Sequence, residues 1–148
     1  MAVNATKEKP SLTITRNYPA GQEEVWRALT EANLLKQWLA PSDAYLMPVA
    51  EADVRVGGRY RFVMKPPEGE EHEVSGVYRE VVPNKKLVFT WAWKSSPEHE
   101  SLVTISLRPA GRGTGLMLKH EQFVDADARD RHEQGWTGSL GRLERCLA

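Results

Sequence analysis

Residues 125–147 constrain the fold more than any other part of this chain. Their spacing predicts one long helix: Trp136, Leu140, Leu143 and Leu147 recur on a single helical face, and His132 falls on the same stripe one turn earlier. Asp125 or Asp127 can cap the start, and Arg142 and Arg145 suit the negative C-terminal end. Between Ala44 and Phe123 the pattern is that of strands. A lone amphipathic helix that follows a run of strands must bury its stripe against their sheet, so the fold class is α+β. A sheet gripping a helix can enclose a hollow.

The rest of the order follows from local punctuation. Ser11–Arg16 alternates, with Leu12 and Ile14 on one side, and reads as a first strand that Pro19-Ala20-Gly21 breaks. Gln22–Leu29 reads as a helix with Val25, Trp26 and Leu29 on one face. Thr30 can cap a second short helix that buries Leu34, Leu35 and Trp38 and ends at Pro41. A strand lies within residues 44–56, and five more follow: Arg59–Lys65, His72–Val82, Leu87–Trp93, Leu102–Arg108 and Thr114–Phe123. The short polar connections between them imply an antiparallel meander. Residues 1–10 read as a flexible N-terminus and residues 11–148 as one domain.

Composition narrows the functional classes. The 20 basic and 20 acidic side chains cancel, so the chain lacks the basic footprint of a nucleic-acid binder. No run approaches the ~20 apolar residues of a membrane helix, so membrane insertion is not expected. The first ten residues have no apolar core of the signal-peptide kind, which leaves the Asn4-Ala5-Thr6 sequon silent. Cys146 is the sole cysteine, so no internal disulfide can form, and the expected home is a reducing cytoplasm.

Few residues carry chemistry. Trp91 and Trp93 share a strand face, where indoles serve as core packing or as the aromatic wall of a ligand site. Trp136, on the inner stripe of the long helix, can seal or line the hollow. His120 shares a strand face with Leu116 and Leu118, and His132 also points inward. Two inward imidazoles suit proton transfer or metal binding, but the spacing and the absence of a nearby cysteine match no recognisable metal site. A hydrogen-bonded structural histidine is the plainer reading. Glu73 and Glu80 are an odd number of residues apart and so fall on opposite strand faces, which argues against a paired acid and base. Gly111, Gly113 and Gly115 lie between two strands and read as a hairpin turn, not a phosphate cradle. No catalytic residue, metal or cofactor is assigned.

The long helix also carries Gly135, Gly138 and Gly141, which together cost about 3 kcal/mol against alanine and call for an offset. On the helical wheel Gly135 flanks the inner stripe and can let the helix approach the sheet. Gly138 and Gly141 fall on the outer side, where a second copy of the chain can pack as a homodimer.

Several short motifs, taken in order, resemble the helix-grip fold of the START and Bet v 1-like superfamily. More narrowly, they resemble its branch related to the C-terminal domain of the Hsp90 ATPase activator. They are Tyr18-Pro19-Ala20 leading to Val25-Trp26, then Leu35–Trp38, Val56-Gly57-Gly58-Arg59-Tyr60, Gly76-Val77-Tyr78, Pro83–Trp91, and His120 through Gly135-Trp136 to Leu143. The resemblance spans residues 11–147. It implies a curved antiparallel sheet wrapped around the C-terminal helix, two short helices after the first strand, and a cavity between sheet and helix. It does not imply one activity.

The expected function is binding of a hydrophobic small molecule in that cavity. The expected wall is Phe62, Tyr78, Phe89, Trp91, Leu118 and Trp136, with His120 as polar anchor. One rival is a protein-interaction module related to the Hsp90 activator domain, which an exposed apolar patch would favour. Another is a cyclase-like enzyme, which would need His120 and a carboxylate to converge in the cavity.

Overall fold

A computed structural model describes residues 9–147. The expectation of a flexible N-terminus falls mostly on residues 1–8, outside the described residues. Pro10 is already fastened, because its carbonyl accepts from Phe123 N.

The elements are β1 (Leu12–Tyr18), α1 (Gln22–Thr30), α2 (Ala32–Trp38), β2 (Leu46–Ala52), β3 (Arg59–Lys65), β4 (His72–Val82), β5 (Lys86–Trp93), β6 (Ser101–Ala110), β7 (Gly113–Glu121) and α3 (Ala126–Leu147). The strands form one antiparallel sheet in the order β1-β7-β6-β5-β4-β3-β2. Strands β2 to β7 are a meander, and β1 closes against β7 with Ile14 opposite Leu118. The sheet curls as a half-barrel, with α3 following the last strand. This is the expected α+β helix-grip architecture.

The helix is held by its stripe and by hydrogen bonds. Asp125 Oδ1 accepts from Ala128 N at 2.8 Å and caps α3. Trp136, Leu140, Leu143 and Leu147 are buried, opposite Leu87, Val103, Ile105, Leu116 and Leu118 of the inner sheet face. Each such side chain contributes about 1.5–3 kcal/mol on burial. Tyr18 Oη donates to Leu140 O at 3.0 Å and ties β1 to the helix. Trp38 Nε1 donates to Ala28 O at 2.8 Å and locks α2 on α1.

Three local expectations are corrected. Thr30 does not cap α2. It is the last residue of α1, and its hydroxyl turns back to Trp26 O at 2.8 Å, leaving Glu31 as an N-cap with no side-chain bond. Glu73 and Glu80 share the outer sheet face. A bulge between Tyr78 and Glu80 shifts the register, so that Glu80 pairs with outward Val88 while Tyr78 pairs with inward Phe89.

The third correction concerns the glycines of α3. A methyl added at Gly138 would lie 2.1 Å from Pro41 O and 3.1 Å from Pro41 C, whereas additions at Gly135 and Gly141 meet nothing within 4 Å. Gly138 is therefore the close-approach position, and the chain between α2 and β2 covers it, while Gly141 faces open space. That segment is pinned there. Ser139 Oγ donates to Leu39 O, Arg142 donates to Ala40 O at 2.7 Å, and Asp43 accepts from both Arg142 and Arg145.

Candidate functional site

The inner sheet face is filled at its centre and open at one end. Phe62, Tyr78, Phe89, Trp91 and Trp136 surround a void of only about 20 Å³, space for roughly one water. Tyr60 plugs this region, with its ring centroid 5.0 Å from Phe62 and 5.5 Å from Phe89. A second cavity, of about 840 Å³, lies at the end of the sheet. One side of it is the first half of α3, with Arg131, His132, Gly135, Trp136 and Ser139. The others are the ends of β3, β4 and β5 and the pinned segment with Leu39, Pro41 and Tyr45. Trp91 and Trp136, with centroids 5.2 Å apart, line both spaces and divide them.

The expected wall therefore splits. Phe62, Tyr78 and Phe89 line the small void, and Trp91 and Trp136 line both spaces. Leu118 and His120 are fully buried and line neither. Residues outside the expected wall complete the open cavity, chiefly Trp93, His132, Met64 and Tyr45. Two of these carried a visible signal. Trp93 lies two residues from Trp91 on the same strand face, and His132 lies one turn before Trp136 on the helix stripe.

His120 is not a free polar anchor. Trp136 Nε1 donates to His120 Nδ1 at 3.0 Å. That leaves the ring proton on Nε2, which faces Ser101 Oγ at 2.7 Å, and the Ser101 hydroxyl donates to Trp91 O at 3.1 Å. Burial, reinforced by neighbouring His132, holds His120 neutral well below the ordinary histidine range.

His132 repeats the arrangement on the cavity wall. Trp93 Nε1 donates to its Nε2 at 2.9 Å, and its Nδ1 donates to Ala128 O at 2.7 Å. Burial again lowers its pKa. The bond to Ala128 opposes that shift and the charge of Arg131 adds to it. The two imidazoles stand edge to face, 5.1 Å between centroids, each bonded to its own indole.

The charged groups are peripheral. Glu70, Glu71, Lys94 and Arg131 are exposed at the mouth of the cavity. Glu73 is drawn outward by Arg61, whose hydrogen bond lowers its carboxyl pKa. Neither ring nitrogen of His120 is bonded to a carboxylate, so the convergence that a cyclase-like site would need does not occur there.

Comparison with known proteins places this geometry. A protein from Chromobacterium violaceum is 28% identical and superposes with a TM-score of 0.84, covering 93% of this chain and 97% of that one. The AHSA1 protein from Silicibacter pomeroyi gives 29% identity and the same TM-score of 0.84 over 93% and 97% of the two chains. CalU16 from Micromonospora echinospora gives 25% and 0.73 over 93% and 76%. The human activator of 90 kDa heat shock protein ATPase homolog 1 is 25% identical over 126 residues. That match covers 84% of this chain but 33% of the human protein, so the chain spans about a third of the curated relatives it matches. Residues 19–148 match the family described as activator of Hsp90 ATPase homolog 1-like protein, and the chain belongs to that family.

Proposed function

We propose that the chain binds an apolar small molecule in the open cavity at the end of its sheet. One observation carries the reading: a space of about 840 Å³ whose inner wall is built from the indoles of Trp91, Trp93 and Trp136. That volume is within the usual range for small-molecule sites, which are commonly lined by aromatic side chains; here the indoles form the inner side, and polar and charged groups, among them Glu73, Lys94, Ser95 and Arg131, form the rest. The filled centre behind Trp91 and Trp136 moves the ligand away from the core and toward the mouth. Titration with 1-aminoanthracene tests it. Dye binding with quenching of tryptophan emission is the expected result, and no quenching at millimolar protein would end the reading.

A second reading rests on the sequence match to the human Hsp90 ATPase activator homolog. In it the chain docks on an Hsp90-type chaperone through its surface. The exposed large apolar side chains Leu46, Val56, Val82, Met117 and Val124 are spread over five segments, which gives this reading less support than the cavity gives the first. Addition of the whole chain to an Hsp90 chaperone, with ATP turnover as readout, tests it. A rate independent of the added chain would remove it.

A further inference from the structure

Two histidines each hold one indole of the aromatic wall, and one of them stands on the open cavity itself. His132 lines that space together with Trp93. Its ring is committed at both nitrogens. Nδ1 donates to Ala128 O at 2.7 Å, and Nε2 accepts from Trp93 Nε1 at 2.9 Å. A carbonyl can only accept and an indole N–H can only donate, so one tautomer of the neutral ring satisfies both. Trp93 is the most exposed of the three wall indoles and the last residue of β5. Its ring meets Trp91 edge to face at 5.6 Å and the exposed His72 at 6.3 Å. The bond to His132 is the only hydrogen bond of its side chain among the described residues.

We propose that His132 is a positioning residue for ligand binding: the neutral ring sets Trp93 in the cavity wall, and a protonated ring releases Trp93 and weakens the site. The proposal rests on the cavity being a small-molecule site. A second proton can add only at Nε2, where the new N–H would point at the indole N–H. Imidazolium donates from both nitrogens, so no flip of the ring restores an acceptor. A freed Trp93 leaves the wall complete in only a fraction of molecules, and apparent affinity falls by that fraction. The charged and titratable groups around His132 are His120 on β7, with centroids 5.1 Å apart, Arg131 on its own helix, Lys94 after β5, and Glu70, Glu71, His72 and Glu73 on the side of β3 and β4. None of them is hydrogen-bonded to its ring among the described residues. His120 holds Trp136 in the same way but is fully buried and does not line the cavity.

The dye 1-aminoanthracene, titrated at steps from pH 7.5 to pH 5.0, decides it; the arylamine stays uncharged in that window. On the unaltered chain its affinity should fall about three- to tenfold, in step with protonation of His132 read from the ring ¹H resonance. The Trp93 indole N–H resonance should move upfield over the same range. By linkage, bound dye should shift the His132 titration to lower pH. Backbone amide spectra of the same samples check that the chain stays folded. His132→Phe, which keeps a ring but no acceptor, should bind the dye weakly already at pH 7.5 and show no further fall. If that variant does not fold, the Trp93 and His132 resonances of the unaltered chain decide. His72→Gln should keep the fall. A level affinity, a fall that persists in His132→Phe or vanishes in His72→Gln, or a Trp93 resonance that ignores the His132 titration overturns the proposal while the cavity still binds. No quenching at any pH overturns the proposal and the ligand reading together.

Discussion

Trp136 and His120 are joined by a 3.0 Å hydrogen bond in which the indole donates to Nδ1 of the imidazole. Helix α3 thereby fixes which nitrogen of a β7 histidine carries the proton, and β7 passes the constraint to β6 through Ser101. Removing the donor alone should be felt. Trp136→Phe leaves Nδ1 buried without a partner and should destabilise the fold by about 1–3 kcal/mol. Trp136→Ala adds the lost packing, for a total of about 3–5 kcal/mol. Urea denaturation measures both, and a midpoint unchanged in Trp136→Phe would show that the bond contributes nothing.

Acid should weaken the fold before the carboxylates titrate. His120 and His132 are both held neutral in the folded chain, below the ordinary histidine value. Above about pH 6.5 both are neutral folded or unfolded, and the pair leaves stability flat. As pH falls below that value the unfolded chain takes up protons that the folded chain refuses. Stability then declines by up to about 1.4 kcal/mol per pH unit for each histidine, until the folded-state values are reached. Urea midpoints at pH 7.5, 6.5 and 5.5 should be level across the first step and fall across the second. His120→Gln should remove the larger part of the fall, because His120 is the more deeply buried of the two and its pKa is the more strongly lowered.

The three helix glycines should respond to alanine with opposite signs. Gly141→Ala meets open space and should stabilise by about 0.5–1 kcal/mol, because it restricts the unfolded chain and favours helix. Gly138→Ala would drive a methyl into the Pro41 carbonyl and should destabilise. Thermal melts of the two variants separate the cases, and the same sign for both would be incompatible with the packing.

Binding and stability should come apart at two apolar positions. Leu118 is fully buried away from the open cavity, so Leu118→Ala should cost about 2–5 kcal/mol while dye affinity stays close to that of the unaltered chain. Trp93 is half-buried on the cavity wall, so Trp93→Ala should weaken 1-aminoanthracene binding severalfold with a smaller loss of stability. Fluorescence titration and denaturation on the same samples give both numbers.

The architecture was readable because its signals are local. The stripe from His132 to Leu147 and the alternation from Arg59 to His120 each need only neighbouring residues to be seen. The bulge after Tyr78 was not readable: one residue out of register reverses strand parity without altering the hydrophobic pattern enough to reveal it. The site was half readable. Large inward side chains were evident at Tyr60–Met64, Leu87–Trp93 and Leu116–Leu118, yet alternation does not say which of them plug the centre. Tyr60, which does much of the plugging, alternates in the same way as Phe62. The pairing of each histidine with an indole joins residues 16 and 39 positions apart, and no spacing rule connects them.

The bare backbone of α3 at Gly138 has a meaning beyond helix energetics. Pro41 rests directly on it, and the segment from Leu39 to Tyr45 forms one lip of the cavity. The thickness of a single residue thus gauges the aperture. Any side chain at position 138 would act as a spacer between lip and helix, widening the entrance while leaving Trp91, Trp93 and Trp136 in place. Aperture and wall are thus set by different residues: the one by the outer side of the helix, the other by its inner stripe and the sheet.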